Sequence, residues 1–151
     1  MSDEENMKAP QTPFAVEVAL RWGDQDSLGH INNVQIARVV EEARVRAMNA
    51  WFGRGRDTFW AVLARQEIEF VNILHYDSKP AQVQVWITRI GTSSFDFGCR
   101  VLAPTGEVAV LAETTLAVLD PKAGTTVPLA DAAVRGLREH LGEPVPFRRR
   151  R

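Results

Sequence analysis

From Phe14 to Trp22 the chain alternates, with Phe14, Val16, Val18, Leu20 and Trp22 apolar and Ala15, Glu17, Ala19 and Arg21 between them. A period of two marks a strand with one buried face. The alternation breaks over Gly23 to Asn33, where two glycines, two aspartates and two asparagines suit a turn followed by a helix N-cap. Apolar residues return at Ile36, Val40, Ala43, Ala47 and Trp51, in steps of four, three, four and four. That stripe predicts a helix of about five turns. On its polar face Glu42 and Arg46 stand four apart in the favourable orientation for an ion pair, and Gly53 and Gly55 supply the stop.

Four further segments are rich in strand formers: Phe59 to Phe70, Gln82 to Ile90, Ser94 to Leu102 and Val108 to Leu119. In the second of them Arg89 falls on the apolar face and ends the pattern just before Gly91. Pro104, Thr105, Gly106 and Glu107 read as a hairpin turn, which makes the last two strands antiparallel neighbours. A final amphipathic helix over Ala130 to Leu141 sets Val134, Leu137 and Leu141 on one side and ends at Gly142. The order strand, long helix, four strands, short helix is that of an α+β chain. An antiparallel sheet with one apolar-striped helix predicts that the helix lies across the concave side of a curved sheet. The opposite face then stays wet or meets a partner.

At 151 residues the chain has the size of one domain. The expected organisation is a loose leader at 1–13, one domain at 14–142, and a basic tail at 143–151 that ends in the run Arg148, Arg149, Arg150, Arg151. With 45% hydrophobic and 25% charged residues and a net charge of -1, the chain is globular and has no field that would gather nucleic acid or an anionic membrane. It shows neither a signal-peptide pattern nor a bilayer-length apolar stretch. The single cysteine, Cys99, alternates with Phe95, Phe97 and Val101 as a small core residue, which fits a reducing cytoplasmic setting.

The stretch Arg21 to Asn33 (RWGDQDSLGHINN), followed by Glu41, Glu42, Ala43 and Arg44, resembles the hotdog-fold acyl-CoA thioesterases of the 4-hydroxybenzoyl-CoA thioesterase type. Gly91, Thr92, Ser93, Ser94 and Phe95 look like that family's strand-linking serine motif. Ala112, Glu113, Thr114 and Thr115, with Asp120, look like its last strand and turn. The likeness runs from about Phe14 to Leu141. It implies a five-stranded antiparallel sheet wrapped around one long central helix, plus a short C-terminal helix. It further implies a homodimer or homotetramer whose sheets join edge to edge, with active sites at the subunit interface and an acyl-CoA as substrate.

Carried over by position, the family's catalytic aspartate matches Asp26. The amide that polarises the thioester carbonyl matches Asn33, and Gly29 and His30 complete the motif. Asn32, Ser93, Ser94 and Glu42 fall on the substrate side. An aromatic residue common in the first helical turn of these proteins is Ile36 here, which bears on acyl preference rather than on reaction class. The run His30, Ile31, Asn32, Asn33 also looks like that of plant acyl-carrier-protein thioesterases, in which the matching histidine has been given catalytic roles.

The chemistry suits these positions. Thioester hydrolysis needs an attacking group or an activated water, and something to hold the charge that grows on the carbonyl oxygen. A helix N-terminus offers unpaired amides and the positive end of its dipole. Asp26 then acts as nucleophile or as general base. The residues also have simpler uses: Asp24 and Asp26 suit turns and caps, Asn32 and Asn33 suit N-caps, and Ser93 and Ser94 suit a turn. His30 equally fits a base, a ligand or a packed loop residue, and Glu42 fits a surface pair with Arg38 or Arg46 as well as a polar role at the acyl pocket. Trp51, Phe52 and Trp60 fit the core or the wall of an acyl tunnel. Asp24, Asp26 and His30 lack a further ligand at recognisable spacing, so neither a metal nor a cofactor is expected. No G-x-S-x-G is present. The competing readings are an acyl-carrier-protein thioesterase, a non-catalytic acyl-CoA binding module and, last, a dehydratase of the same fold.

Overall fold

The alternating segments become the strands of one antiparallel sheet: β1 (Phe14–Val18), β2 (Ala61–Phe70), β3 (Ala81–Ile90), β4 (Ser94–Leu102) and β5 (Val108–Val118), joined in the order β1-β3-β4-β5-β2. Two helices complete the chain, α1 (Asn33–Phe52) and α2 (Asp131–Arg138). The computed structural model describes residues 13–53 and 60–148. Gly55, Phe59, the leader up to residue 12 and Arg149 to Arg151 lie outside the described residues.

Alternate positions of the central strands face α1. Val83, Val85 and Ile87 of β3 and Phe95, Phe97, Cys99 and Val101 of β4 are buried against Ile36, Val39, Val40, Ala43 and Ala47 of the helix. Alanine at 43 and 47 lets the helix sit close to the sheet, since neither side chain reaches far from the axis. Cys99 belongs to this core, and burial pushes its thiol up to about 12, so it stays protonated. Gly53 ends α1 at φ +78°, donating its amide to the Asn49 carbonyl. None of the described helices is long and apolar enough to cross a membrane.

Four sequence expectations are corrected. β1 stops at Val18: Leu20 is still buried, but a short 3-10 turn over Trp22–Asp24 redirects the chain and leaves Trp22 77% exposed. Arg89 does not sit on the apolar face. A bulge between Ile87 and Arg89 turns it to the convex side, where Nε and Nη2 donate to the two oxygens of Asp96 at 2.7 and 3.0 Å. The last helix ends at Arg138, because Leu141 leaves it to lie along β3. There the Ile87 amide donates to the His140 carbonyl at 2.8 Å, and the Gly142 amide to the Ile87 carbonyl at 2.7 Å.

The fourth correction concerns the stretch after residue 142, which is a strap rather than a free tail. Val145 and Phe147 are buried on the convex face against Trp86 and Leu111, and the Arg148 amide donates to the Glu69 carboxylate. The indole of Trp86 donates to the Glu143 carbonyl at 2.7 Å. Its ring lies over Gly98, where a Cβ would stand 2.5 Å from the indole, so only glycine leaves it room. Part of the face expected to stay wet or meet a partner is therefore covered by the chain itself. Replacing the anchor, Phe147→Ala, is expected to cost about 2–4 kcal/mol in a urea titration, whereas Arg148→Ala should move the midpoint far less.

Candidate active site

The loop between β1 and α1 is organised by a buried acid. Asp24 is 2% exposed, and its Oδ2 accepts from the Arg21 amide at 2.9 Å and from Arg38 Nη2 at 2.7 Å, while Oδ1 accepts from Arg21 Nε at 3.0 Å. Its carbonyl takes the Asn32 amide at 2.8 Å. Burial alone would push this carboxyl up. The bonds from Arg21 and the charge and bond of Arg38 outweigh that and hold it below the usual carboxylate range. Gln35 Oε1 joins the two arginines, accepting from Arg21 Nη2 and Arg38 Nε. Arg21 at the start of the 3-10 turn, the returning loop at Asn32 and the second turn of α1 are thus fixed to one residue.

Two residues on, Asp26 closes a tighter ring. Its amide donates to the His30 carbonyl at 2.7 Å, and its Oδ1 accepts the Leu28 and His30 amides at 2.8 and 3.0 Å. The turn passes through Gly29 at φ +79°, a left-handed conformation that a side chain would strain. With Oδ1 occupied, Oδ2 is left toward the outside, 3.9 Å from His30 Nδ1, and 35% of the side chain is exposed. The His30 and Leu28 amides lower the pKa of this carboxyl, so it is charged at neutral pH. The turn thus occupies one oxygen of this carboxylate and leaves the other without a hydrogen bond among the described residues.

The helix opens beside it. Asn32 caps α1, its Oδ1 accepting the Val34 amide at 3.0 Å, and its carbonyl accepts the Gln35 and Ile36 amides. The Asn33 amide has no acceptor among the described residues, as expected for the first residue of a helix. From the other side, the segment after β2 is laid against the loop: the Ile31 amide donates to the Leu74 carbonyl at 2.8 Å, and the Val71 and Asn72 amides to the Ala109 carbonyl. Between these pieces lies a cavity of about 650 Å³, walled by Asp26, His30, Asn32 and Asn33 on one side and by Phe70 and Asn72 to His75 on the other, with Ile36 and Glu107 completing it.

Of the residues singled out in the sequence, Asp26, His30, Asn32 and Asn33 share this cavity, and Gly29 shapes the loop that carries them. Ser93 and Ser94 do not join them within the chain. Ser94 pairs with Ala117 at one end of β5, whereas Phe70 of the cavity pairs with Val110 at the other. The Ser93 carbonyl holds the Val118 amide, and Ser94 Oγ accepts from Arg89. Glu42 lies exposed on α1 away from the cavity, and its expected ion pair is not formed. Arg38 is drawn to Asp24 and Arg46 to the Glu17 carbonyl, so the loop and β1 take both partners.

The aromatic side chains near the end of α1 do not wall the cavity. Trp51 stacks between Phe97 and His140, and Phe52 packs against Gly136 of α2. Trp60 is 46% exposed. Residues that sequence reasoning missed are His75, Asn72 and Glu107, which only strand pairing brings near Asp26, and Arg38, whose helical face gave no sign of a buried partner. Among the described residues no three of His, Cys, Asp and Glu stand where they could hold a metal ion.

One long helix lying in an antiparallel sheet of this order, with a polar cavity at the helix N-terminus, defines a hotdog-fold protein of the thioesterase kind. The sequence matches the thioesterase-like superfamily over residues 20–141, and the chain belongs to that family. No curated protein matches it. Among solved structures, a thioesterase from Thermus thermophilus, complexed with coenzyme A and zinc, is 28% identical, with a TM-score of 0.74 over 86% of this chain and 95% of that one. A candidate acyl-CoA thioesterase from Xanthomonas campestris is 27% identical, with a TM-score of 0.64 over 74% of this chain and 96% of that one. A candidate thioesterase from Bacillus stearothermophilus shares the fold at 24% identity, with a TM-score of 0.78 over 87% and 98% of the two chains.

The Asp24 network generates a test that does not need a substrate. Asp24→Asn is expected to destabilise the protein by about 2–3 kcal/mol at neutral pH, measured by denaturant unfolding. Because the native carboxyl titrates below its unfolded value, its contribution is whole above about pH 4 and is lost as pH falls through the lowered native value. The acid limb of the stability profile should therefore be shallower in Asp24→Asn than in the parent.

Proposed function

We propose that the protein hydrolyses acyl-CoA thioesters to the free acid and CoA, with Asp26 as nucleophile or general base and the Asn33 amide polarising the carbonyl. The observation that carries this is the joint presence, on one cavity wall, of a charged carboxylate with an outward oxygen and the open N-terminus of a 20-residue helix. A binding module gains nothing from a carboxylate beside a thioester, whereas a hydrolase uses it. As nucleophile, Asp26 would attack the carbonyl carbon, the C–S bond would break with its electron pair leaving on sulfur, and water would then open the mixed anhydride. As base, it would take a proton from the water that attacks. In both, negative charge on the carbonyl oxygen falls at the helix N-terminus. The Thermus relative, solved with coenzyme A, and the Xanthomonas relative support a CoA thioester as substrate.

A second copy of the chain completes the reading. Among the described strands β2 is at the sheet's edge, with Leu63 and Phe70 about half exposed, and Phe70 also walls the cavity. A partner joined to β2 by a two-fold axis would run its own β2 antiparallel, setting the partner's Ala61 end beside Phe70. Ser93 and Ser94 lie at that end of the sheet, so a dimer would bring the serines of one copy toward the cavity of the other.

Asp26→Asn should keep the circular dichroism spectrum and lower kcat on a panel of aliphatic and aromatic acyl-CoA substrates by roughly a hundred- to ten-thousandfold, followed by release of free thiol. Single turnover in ¹⁸O-water adds a one-way test of the nucleophile, since label found in the Asp26 carboxylate requires a mixed anhydride opened at the Asp26 carbonyl, which a base cannot produce. Turnover at the parent rate in Asp26→Asn would refute the assignment.

A further inference from the structure

The cavity holds a second imidazole that the proposed reaction does not use. His75 follows the buried Leu74 in the segment between β2 and β3, and nothing in its local sequence marks it. The backbone brings it to the site: His30 and His75 form an antiparallel bridge, beside the bond from the Ile31 amide to the Leu74 carbonyl. Side chains opposite one another in such a bridge stand side by side. Here the two rings meet edge to face, with centroids 5.3 Å apart and planes at 76°, and both face the cavity that Asp26 lines.

This contact bears on the freedom that the His30 side chain retains. Its backbone is held on both sides, by the amide bond to Asp26 Oδ1 and the carbonyl bond from the Asp26 amide. Among the described residues its ring has no such tether, and Nδ1 stands 3.9 Å from Asp26 Oδ2, beyond hydrogen-bond reach. The terminal torsion of a histidine is broad and roughly two-fold, so a ring without a tether can present either nitrogen. The aromatic partner restrains the plane of that ring, because an edge-to-face contact is kept only while the plane is kept.

We propose that His75 is a positioning residue of this site, its ring holding the plane of the His30 imidazole beside the Asp26 carboxylate. The kinetic consequence rests on the hydrolase reading above; the ring orientation does not. From that orientation a movement of roughly 1 Å closes the Asp26–His30 gap to a hydrogen bond. The carboxylate oxygen facing substrate and the imidazole beside it then act as one unit.

The test compares His75→Ala with His75→Phe in the full chain, since phenylalanine keeps a ring edge and loses both nitrogens. His75→Ala should lower kcat roughly three- to tenfold, the size of an aromatic edge contact, with KM within about twofold, and His75→Phe should restore most of it. In parallel, ¹⁵N-histidine NMR should show the His30 ring signals shifted or broadened in His75→Ala and near their parent positions in His75→Phe. If His75→Phe is as slow as His75→Ala, or if His75→Ala leaves both kcat and the His30 signals unchanged, positioning is refuted. If the parent protein hydrolyses nothing in the panel, the hydrolase reading fails instead, and the His30 signals still decide the role of His75.

Discussion

The carboxylate of Asp24 is almost fully enclosed, and its two oxygens take three bonds, from the Arg21 amide, the Arg21 guanidinium and Arg38. An acid removed from water in this way is tolerable only if every oxygen is answered, and removing one donor leaves a charge with no solvent to turn to. The three donors come from Arg21, just beyond β1, and from the second turn of α1, so the acid ties the chain leaving the sheet to the start of the helix. Everything that lines the cavity from this side, from Asp26 to Ile36, is strung between those two points. The loop's buried apolar anchors, Leu20 and Ile31, stand near its two ends, so polar bonds carry the shape between them.

Two acids separated by one residue therefore have opposite fates. Asp24 commits both oxygens to the fold. Asp26 commits one to the Leu28 and His30 amides and keeps the other free. The first interaction makes the second possible, because a turn as tight as the one through Gly29 keeps its aim only if its ends are held. The amides that complete the turn also keep Asp26 ionised, so one set of bonds serves geometry and charge together.

The sheet divides its two faces between different tasks. The concave face buries α1 under alternate residues of β3 and β4, and the convex face is partly closed by the strap that ends at Arg148. Among the described strands β1 and β2 form the two edges of the sheet, and it is β2 that leads into the cavity wall at Phe70. The outer side of an edge strand is a template for another strand. The proposed dimer follows from that edge, and it relates the distant serines of one copy to the acid of another by symmetry rather than by chain connection.

Local pattern alone determined the elements. Period-two alternation and a helical stripe require no knowledge of neighbours, so the five strands, the long helix and the capping role of Asn32 were legible, and the likeness of the Arg21 to Asn33 stretch to thioesterases marked Asp26 and Asn33. Where a contact between distant residues overrides the local pattern, the sequence was silent or misleading. The exposure of Trp22, the bulge that turns Arg89 to Asp96, the capture of Arg38 by Asp24 at the expense of Glu42, and the strap over Trp86 each depend on a partner 7 to 61 residues away or on a change of chain direction. His75 is the clearest case. Its place beside His30 is set by pairing between segments 45 residues apart, and hydrogen bonds between backbones carry no trace in the identity of the side chains they align.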